Sequence, residues 1–150
     1  MKYPILKLIP GLFLGLILGL MWGMPQGVAG PGKPVVVVEL FTSQGCNSCP
    51  PADLLLGTLA AREDLVALTY NVDYWDYLGW KDTLAQAAYT ERQRRYAASF
   101  RSRSVYTPQM VIGGRQHAVG SDASAVEAAI GAEQRRQDGN GDAAPALRLE

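Results

Sequence analysis

The apolar positions at the start of the chain form two nearly unbroken runs of different character. Residues 8–24 carry no charge and follow a short basic start at Lys2 and Lys7. Residues 34–41 are dominated by Val35, Val36, Val37 and Val38, and Glu39 is the one acid among them. A β-branched run with no polar alternation predicts a central strand buried on both faces. Further on, the pattern becomes periodic. A helix is predicted over 52–61, with Leu54, Leu55 and Leu59 as its apolar face, and a second strand over 65–72. Residues 73–81 form an aromatic-rich loop containing Tyr74, Trp75, Tyr77 and Trp80. The helix predicted next, over 83–100, spaces Tyr89, Tyr96 and Phe100 along its length. Residues 109–112 read as a third strand, and Gly113-Gly114 turns the chain into a fourth over 115–119. A last helix over 122–134 has Val126, Ala129 and Ile130 as its buried stripe, with Ser124 and Glu127 placed for a capping box. Residues 137–144 are polar and Gly-rich, and 137–150 are expected to be a disordered or truncated tail. The order is β-α-β-α-β-β-α. It predicts one α/β domain over 34–136 with a central four-stranded mixed sheet, opened by a parallel β-α-β crossover.

The first run changes the picture of where the chain acts. A basic start, an apolar stretch over 8–24 and the small residues Gly27, Val28 and Ala29 have the layout of a secretory signal peptide covering 1–29. The alternative is an uncleaved N-terminal anchor, which would make residues 8–24 the membrane contact. Either way the protein is expected to be exported, to the periplasm or beyond. The chain holds 14 Lys and Arg against 14 Asp and Glu. Losing Lys2 and Lys7 leaves 12 basic residues against 14 acidic and a formal charge of −2. Nucleic-acid binding needs a basic face to neutralise phosphates, so that class of partner is not expected.

The chain contains two cysteines, in Cys46-Asn47-Ser48-Cys49. In an oxidising compartment such a pair tends to form a disulfide. A bridge enclosing two residues restricts the unfolded chain little, so structural stapling is a poor explanation for it. The spacing points to redox chemistry or metal binding. The motif lies between a predicted strand and a predicted helix, the setting of a thioredoxin-like redox centre. A helix start favours a thiolate through unpaired amides and the positive end of its dipole. Cys46, the more N-terminal thiol, is expected to be exposed and to attack a substrate disulfide, with Cys49 resolving the mixed disulfide. Pro50 and Pro51 lack N–H groups, and Pro50 disfavours helical geometry at Cys49. The Cys46 pKa is therefore expected to be only moderately lowered, resting on the amides of Asn47, Ser48 and Cys49.

Residues 38–49 resemble the strand-to-motif segment of the glutaredoxin and thioredoxin superfamily. The longer signature is similar to the secreted thioredoxin-like family known as domain of unknown function 1223. It comprises residues 39–53, then Val72-Asp73-Tyr74-Trp75-Asp76-Tyr77-Leu78-Gly79-Trp80-Lys81-Asp82, then Val105-Tyr106-Thr107-Pro108-Gln109-Met110-Val111. The resemblance covers most of 34–122. It implies a thioredoxin-like fold and a thiol–disulfide oxidoreductase with no cofactor beyond the Cys46–Cys49 couple. It implies that Pro108 is a cis-proline facing the cysteines, and that the Thr107 backbone pairs with substrate. A cis-proline there also keeps metal from the thiols. The superfamily often places an acid beneath the motif, which makes Glu39 a candidate proton acceptor for Cys49. The alternative is a strand-end carboxylate reaching water or a backbone amide. Family members extend beyond the last helix further than this chain, so it is expected to be a short member or a piece of a longer protein.

Trp75, Asp76 and Tyr106 are the candidates for touching substrate. Asp73 and Asp76 also suit turns. Arg92, Arg94, Arg95, Arg101 and Arg103 read as a solvated face. Expected partners are protein or small-molecule thiols and disulfides, met by a monomer. Two other classes compete. In a copper-handling protein, Cys46 and Cys49 would be joined by His117, the one histidine. In a binding module, the groove would serve a partner chain without catalysis. A covalent haem is excluded, because Pro50 stands where a haem-attachment motif has histidine.

Overall fold

The computed structural model describes residues 35–140. The signal or anchor expected at 1–29, its apolar run at 8–24 and the end of the tail over 141–150 lie outside the described residues. Strand β1, Val36–Thr42, runs into the cysteine loop. Helix α1, Pro50–Leu59, begins directly after Cys49. Strand β2 follows over Leu65–Asn71. A 3-10 turn, Asp76–Leu78, sits in the aromatic loop. Helix α2 covers Ala87–Ser99, strands β3 and β4 cover Gln109–Ile112 and Gln116–Val119, and helix α3 covers Ala123–Asn140.

The sheet order is β2-β1-β3-β4. Strands β1 and β2 are parallel, with Val36 beside Leu65 and Thr42 beside Asn71. Strand β3 is antiparallel to both β1 and β4. The fold is thioredoxin-like, with a four-stranded mixed sheet and the predicted element order. Alternation along β1 divides its side chains between two layers. Val36, Val38 and Leu40 pack with Leu56 and Leu59 of α1 and Val126 and Ile130 of α3. Phe41 points the other way, into a cluster with Val72, Val111, Tyr96 and Phe100. The stacked Tyr96 and Phe100 rings bring α2 onto this second face.

The structure corrects several predicted boundaries and faces. Leu54 is exposed, and Leu56 and Leu59 carry the buried face of α1. Cys49 has helical geometry, at φ −80° and ψ −34°, despite preceding proline. Its carbonyl accepts the amides of Ala52 and Asp53 at 2.8 and 3.1 Å, and these bonds outweigh the steric bias. Helix α2 starts at Ala87 rather than 83. Gln86 is extended and donates its N–H to the Asn71 carbonyl, while Asp82 turns the chain by accepting from Leu84. Helix α3 is capped by Asp122, which accepts the Ala125 amide at 3.0 Å, and Ser124 donates to the same carboxylate. Glu127 is not part of a capping box but pairs with Arg62 at 3.0 Å. The helix runs on to Asn140, so residues 137–140 are helical, not disordered.

Candidate active site

The strand-to-helix connection builds the site. Between the end of β1 and Cys49, the Cys46 amide donates to the Ser43 carbonyl and the Cys49 amide to the Cys46 carbonyl, each at 3.1 Å. These two turns bring the cysteine Cα atoms to 5.4 Å, within ordinary disulfide range, and Cys46 and Cys49 are disulfide-bonded. Pro50 and Pro51 occupy the first positions of α1, where a missing N–H leaves no helical bond unmade.

Both cysteines are buried in this oxidised form, Cys46 at 4% and Cys49 at 0% exposure. The order matches the expectation, but Cys46 is not exposed. Two hydroxyls lie against its sulfur: Thr107 Oγ1 donates to Sγ at 3.3 Å, and Ser48 Oγ is 3.5 Å away. The expected donor set needs a further correction, because the Cys49 amide is engaged with the Cys46 carbonyl. The Thr107–Pro108 peptide bond is cis, as expected. The Thr107 backbone amide and carbonyl make no hydrogen bond among the described residues. Pro108 itself is held from behind by Gly120, whose amide donates to the Pro108 carbonyl at 2.9 Å. A Cβ on Gly120 would come within 3.0–3.1 Å of Leu40, Ala52 and Pro108, tighter than ordinary contact, so glycine suits the close approach of these three segments.

The aromatic loop completes the surroundings. Trp75 Nε1 donates to Thr107 Oγ1 at 2.8 Å. Trp75 also packs on the motif loop, where a Cβ on Gly45 would stand 3.2 Å from the Trp75 Cβ. Trp80 Nε1 donates to Gln44 Oε1 at 3.0 Å. Asp76 serves the loop itself and accepts the Asp82 amide at 3.1 Å. Tyr106 turns its hydroxyl to His117 Nδ1 at 2.9 Å, while its carbonyl accepts from Gln93 Nε2 at 2.7 Å.

Glu39 lies elsewhere than the acid-beneath-the-motif expectation requires. It alternates onto the α2 face, opposite α1 and Cys49. There it is 2% exposed and accepts from Arg92 Nε at 2.8 Å and from the Tyr96 hydroxyl. Arg92 also lies over the Tyr70 and Tyr96 rings, 5.1 and 5.4 Å from their centroids. Arg92 is thus a partner of a buried acid and not simply part of a solvated face. On the cysteine side the acid is Asp53, one helical turn after Cys49. It accepts from the Thr42 hydroxyl at 2.9 Å, and burial raises its pKa.

Three residues that the sequence did not single out hold the site together. Buried Asp82 accepts the Gln44 amide and Asn71 Nδ2, both at 2.8 Å, tying the cysteine loop to the end of β2. Buried Gln93 donates to the Tyr106 carbonyl and to Gln109 Oε1, and accepts from the Tyr74 hydroxyl. Thr90 bridges the Asp73 backbone amide and carboxylate. Only the Asp82 side chain left a trace in the sequence, as an acid between a loop and a predicted helix. Gln93 and Thr90 look like ordinary helix residues. His117 is engaged by Tyr106 and packs 4.8 Å from the Phe100 ring. Among the described residues no three His, Cys, Asp or Glu side chains gather where they could hold a metal ion.

Fold and site together define a thioredoxin-like protein with a Cys-x-x-Cys disulfide at a helix start. The chain belongs to the family described as protein of unknown function (DUF1223), whose model matches residues 37–146. It is similar to a crystal structure of a protein from Agrobacterium tumefaciens, at 45% identity and a TM-score of 0.63, over 73% of this chain and 48% of that one. The chain thus spans about half the length of that relative. A thioredoxin from Malassezia sympodialis is also similar, at 18% identity and a TM-score of 0.42, over 69% of this chain and 81% of that one. No curated protein matches.

Proposed function

We propose that the protein is an exported thiol–disulfide oxidoreductase acting on protein or small-molecule disulfides. The observation that carries this reading is the Cys46–Cys49 disulfide at the start of α1, with the Thr107 hydroxyl against Cys46. The apolar run at 8–24 supports export, and the free backbone edge at Thr107 offers an extended substrate a strand-like partner.

The exchange takes two steps. In the reduced protein the Cys46 thiolate attacks one sulfur of a substrate disulfide. The new S–S bond links Cys46 to the substrate, and the other substrate sulfur leaves as a thiolate. Cys49 then loses its proton and attacks the Cys46 sulfur. The intramolecular disulfide re-forms, and the second substrate sulfur departs. Each round oxidises the Cys46/Cys49 pair by two electrons and reduces one substrate disulfide. The reverse sequence oxidises a substrate dithiol. Cys46 attacks first because it is the less enclosed sulfur and has two hydroxyls beside it.

A redox titration of Cys46/Cys49 against glutathione buffers tests the reading, followed by exchange assays on variants. Cys46→Ser is expected to abolish exchange. Cys49→Ser is expected to accumulate mixed disulfides with Cys46. A trap that captures no disulfide partner, from a protein whose wild type exchanges none, would sink the proposal. Copper binding lost in Cys46→Ser would favour the metal-handling class instead.

A further inference from the structure

A Cys46 thiolate needs hydrogen-bond donors, and this helix start supplies few. Pro50 and Pro51 have no N–H, and the Cys49 amide donates to the Cys46 carbonyl. The two hydroxyls at the sulfur therefore matter more than usual, and they differ in what orients them. Ser48 is exposed, and among the described residues its side chain bonds only to Cys46. Thr107 is half-buried and held at both ends: Trp75 Nε1 at 2.8 Å on one side, Cys46 Sγ at 3.3 Å on the other. An indole nitrogen can only donate. The Thr107 oxygen must accept from it, which leaves the single hydroxyl hydrogen for the sulfur.

We propose that Trp75 is a positioning residue for Cys46: its indole N–H fixes the Thr107 hydroxyl as a donor to Sγ, and this two-bond relay stabilises the Cys46 thiolate in the reduced protein. The relay replaces donors that the two prolines remove. Bonds in series polarise one another, so a hydroxyl that accepts from an indole is a better donor than a free one. Donation to an ionised sulfur is stronger than to the neutral disulfide, which makes the effect specific to the reduced state.

The neighbouring titratable groups leave the assignment clean. Tyr74 also meets the Thr107 hydroxyl, but its own hydroxyl donates to Gln93 at 3.1 Å, and burial raises its pKa against the lowering effect of both bonds. As a neutral oxygen it competes poorly with a thiolate for the Thr107 hydrogen. Burial likewise raises the pKa of Tyr106. The carboxylates at the cysteine loop and on α1 are engaged elsewhere, Asp53 with Thr42 and Asp82 with Gln44 and Asn71.

The inference rests on the oxidoreductase reading for its purpose, but its test does not require turnover. The Cys46 pKa is measured on the reduced protein from the pH dependence of its alkylation by iodoacetamide. A bond to an ionised group corresponds to about one pKa unit or somewhat more. Thr107→Val is expected to raise the Cys46 pKa by about one unit, and Trp75→Phe by about half of that. The double variant should match Thr107→Val alone, because Trp75 acts through the hydroxyl, and Thr107→Ser should stay near wild type. In the unmodified protein the Trp75 indole proton resonance should titrate with the Cys46 pKa, which tests the relay even if Trp75→Phe folds poorly. An unchanged pKa in Trp75→Phe, additive effects in the double variant, or an indole resonance blind to Cys46 would overturn the relay. Intact shifts in a protein that exchanges no disulfide would overturn the oxidoreductase reading and leave the relay standing.

Discussion

Glu39 shows how one residue can be read correctly as costly while its task stays open in the sequence. An acid in a buried strand must be paired or neutralised. Its partners are Arg92 and Tyr96, both from α2, and the site's cysteines are on the other face of the sheet. Burial and the bond to Glu39 push the Tyr96 pKa up to about 12, so the phenol remains a donor at any ordinary pH. Glu39 is therefore expected to act in stability. Arg92→Ala removes the charge partner of a carboxylate that is 2% exposed. It is expected to destabilise the protein by about 2–3 kcal/mol, the low end for a buried pair because Arg92 itself is 39% exposed. Urea denaturation measures this. Glu39→Gln is expected to leave both cysteine pKa values where they are, and a shift in Cys49 would restore the proton-acceptor role.

At the scale of elements, two glycines decide whether strands and helices can meet. Gly113 and Gly114 turn β3 into β4 with φ +57° and +67°, and the Arg115 amide closes the turn on the Ile112 carbonyl at 3.0 Å. These angles suit a tight hairpin and disfavour any residue with a side chain. Gly113 has a second constraint, since a Cβ there would lie 2.7 Å from the Glu133 side chain on α3. Gly113→Ala is expected to destabilise the fold by about 2 kcal/mol or more, read as a lower denaturation midpoint. Gly114→Ala carries the same backbone strain but meets only Tyr96, at 3.7 Å, so it should cost less. The difference between the two variants isolates the α3 contact.

Across the whole molecule, acid stability follows from where carboxylates are held. Burial alone would raise the Asp82 pKa, but bonds from Asn71 and from the Gln44 and Leu84 amides outweigh it, and the net direction is down. Asp64 is held down to about 2, mainly by Arg62. A carboxylate with a depressed folded pKa contributes stability above its unfolded value of about 4. That contribution is lost as pH falls through the lower folded value. Unfolding free energy is therefore expected to be level from about pH 7 to 5 and to fall below about pH 4. Asp82→Asn should be about 2 kcal/mol less stable at neutral pH and should lose part of this dependence. A pH series of urea melts on both proteins checks it, and an unchanged slope would contradict the assignment. Asp82 joins the cysteine loop to β2, so this loss should loosen the site before the sheet.

The sequence alone determined the element order, the parallel opening, the strand that enters the cysteine motif and the pairing of Cys46 with Cys49. These follow from local causes: the Val35–Val38 run, helical spacing at Val126 and Ile130, Gly113-Gly114 and a two-residue gap between thiols. It could not decide which face of β1 Glu39 would take relative to α2. It did not show that Arg92 would cover Glu39, or that Gln93 and Asp82 would clamp the loops of the site. Nor could it show that Trp75 would reach Thr107, 32 positions away. Such choices are made when helices dock on opposite faces of a sheet, because docking sets which polar groups lose water together and must satisfy one another. The chemistry of the motif is local and legible in the chain. The Thr107 hydroxyl and the indole that orients it come from remote segments, so only the tertiary structure brings them to the sulfur.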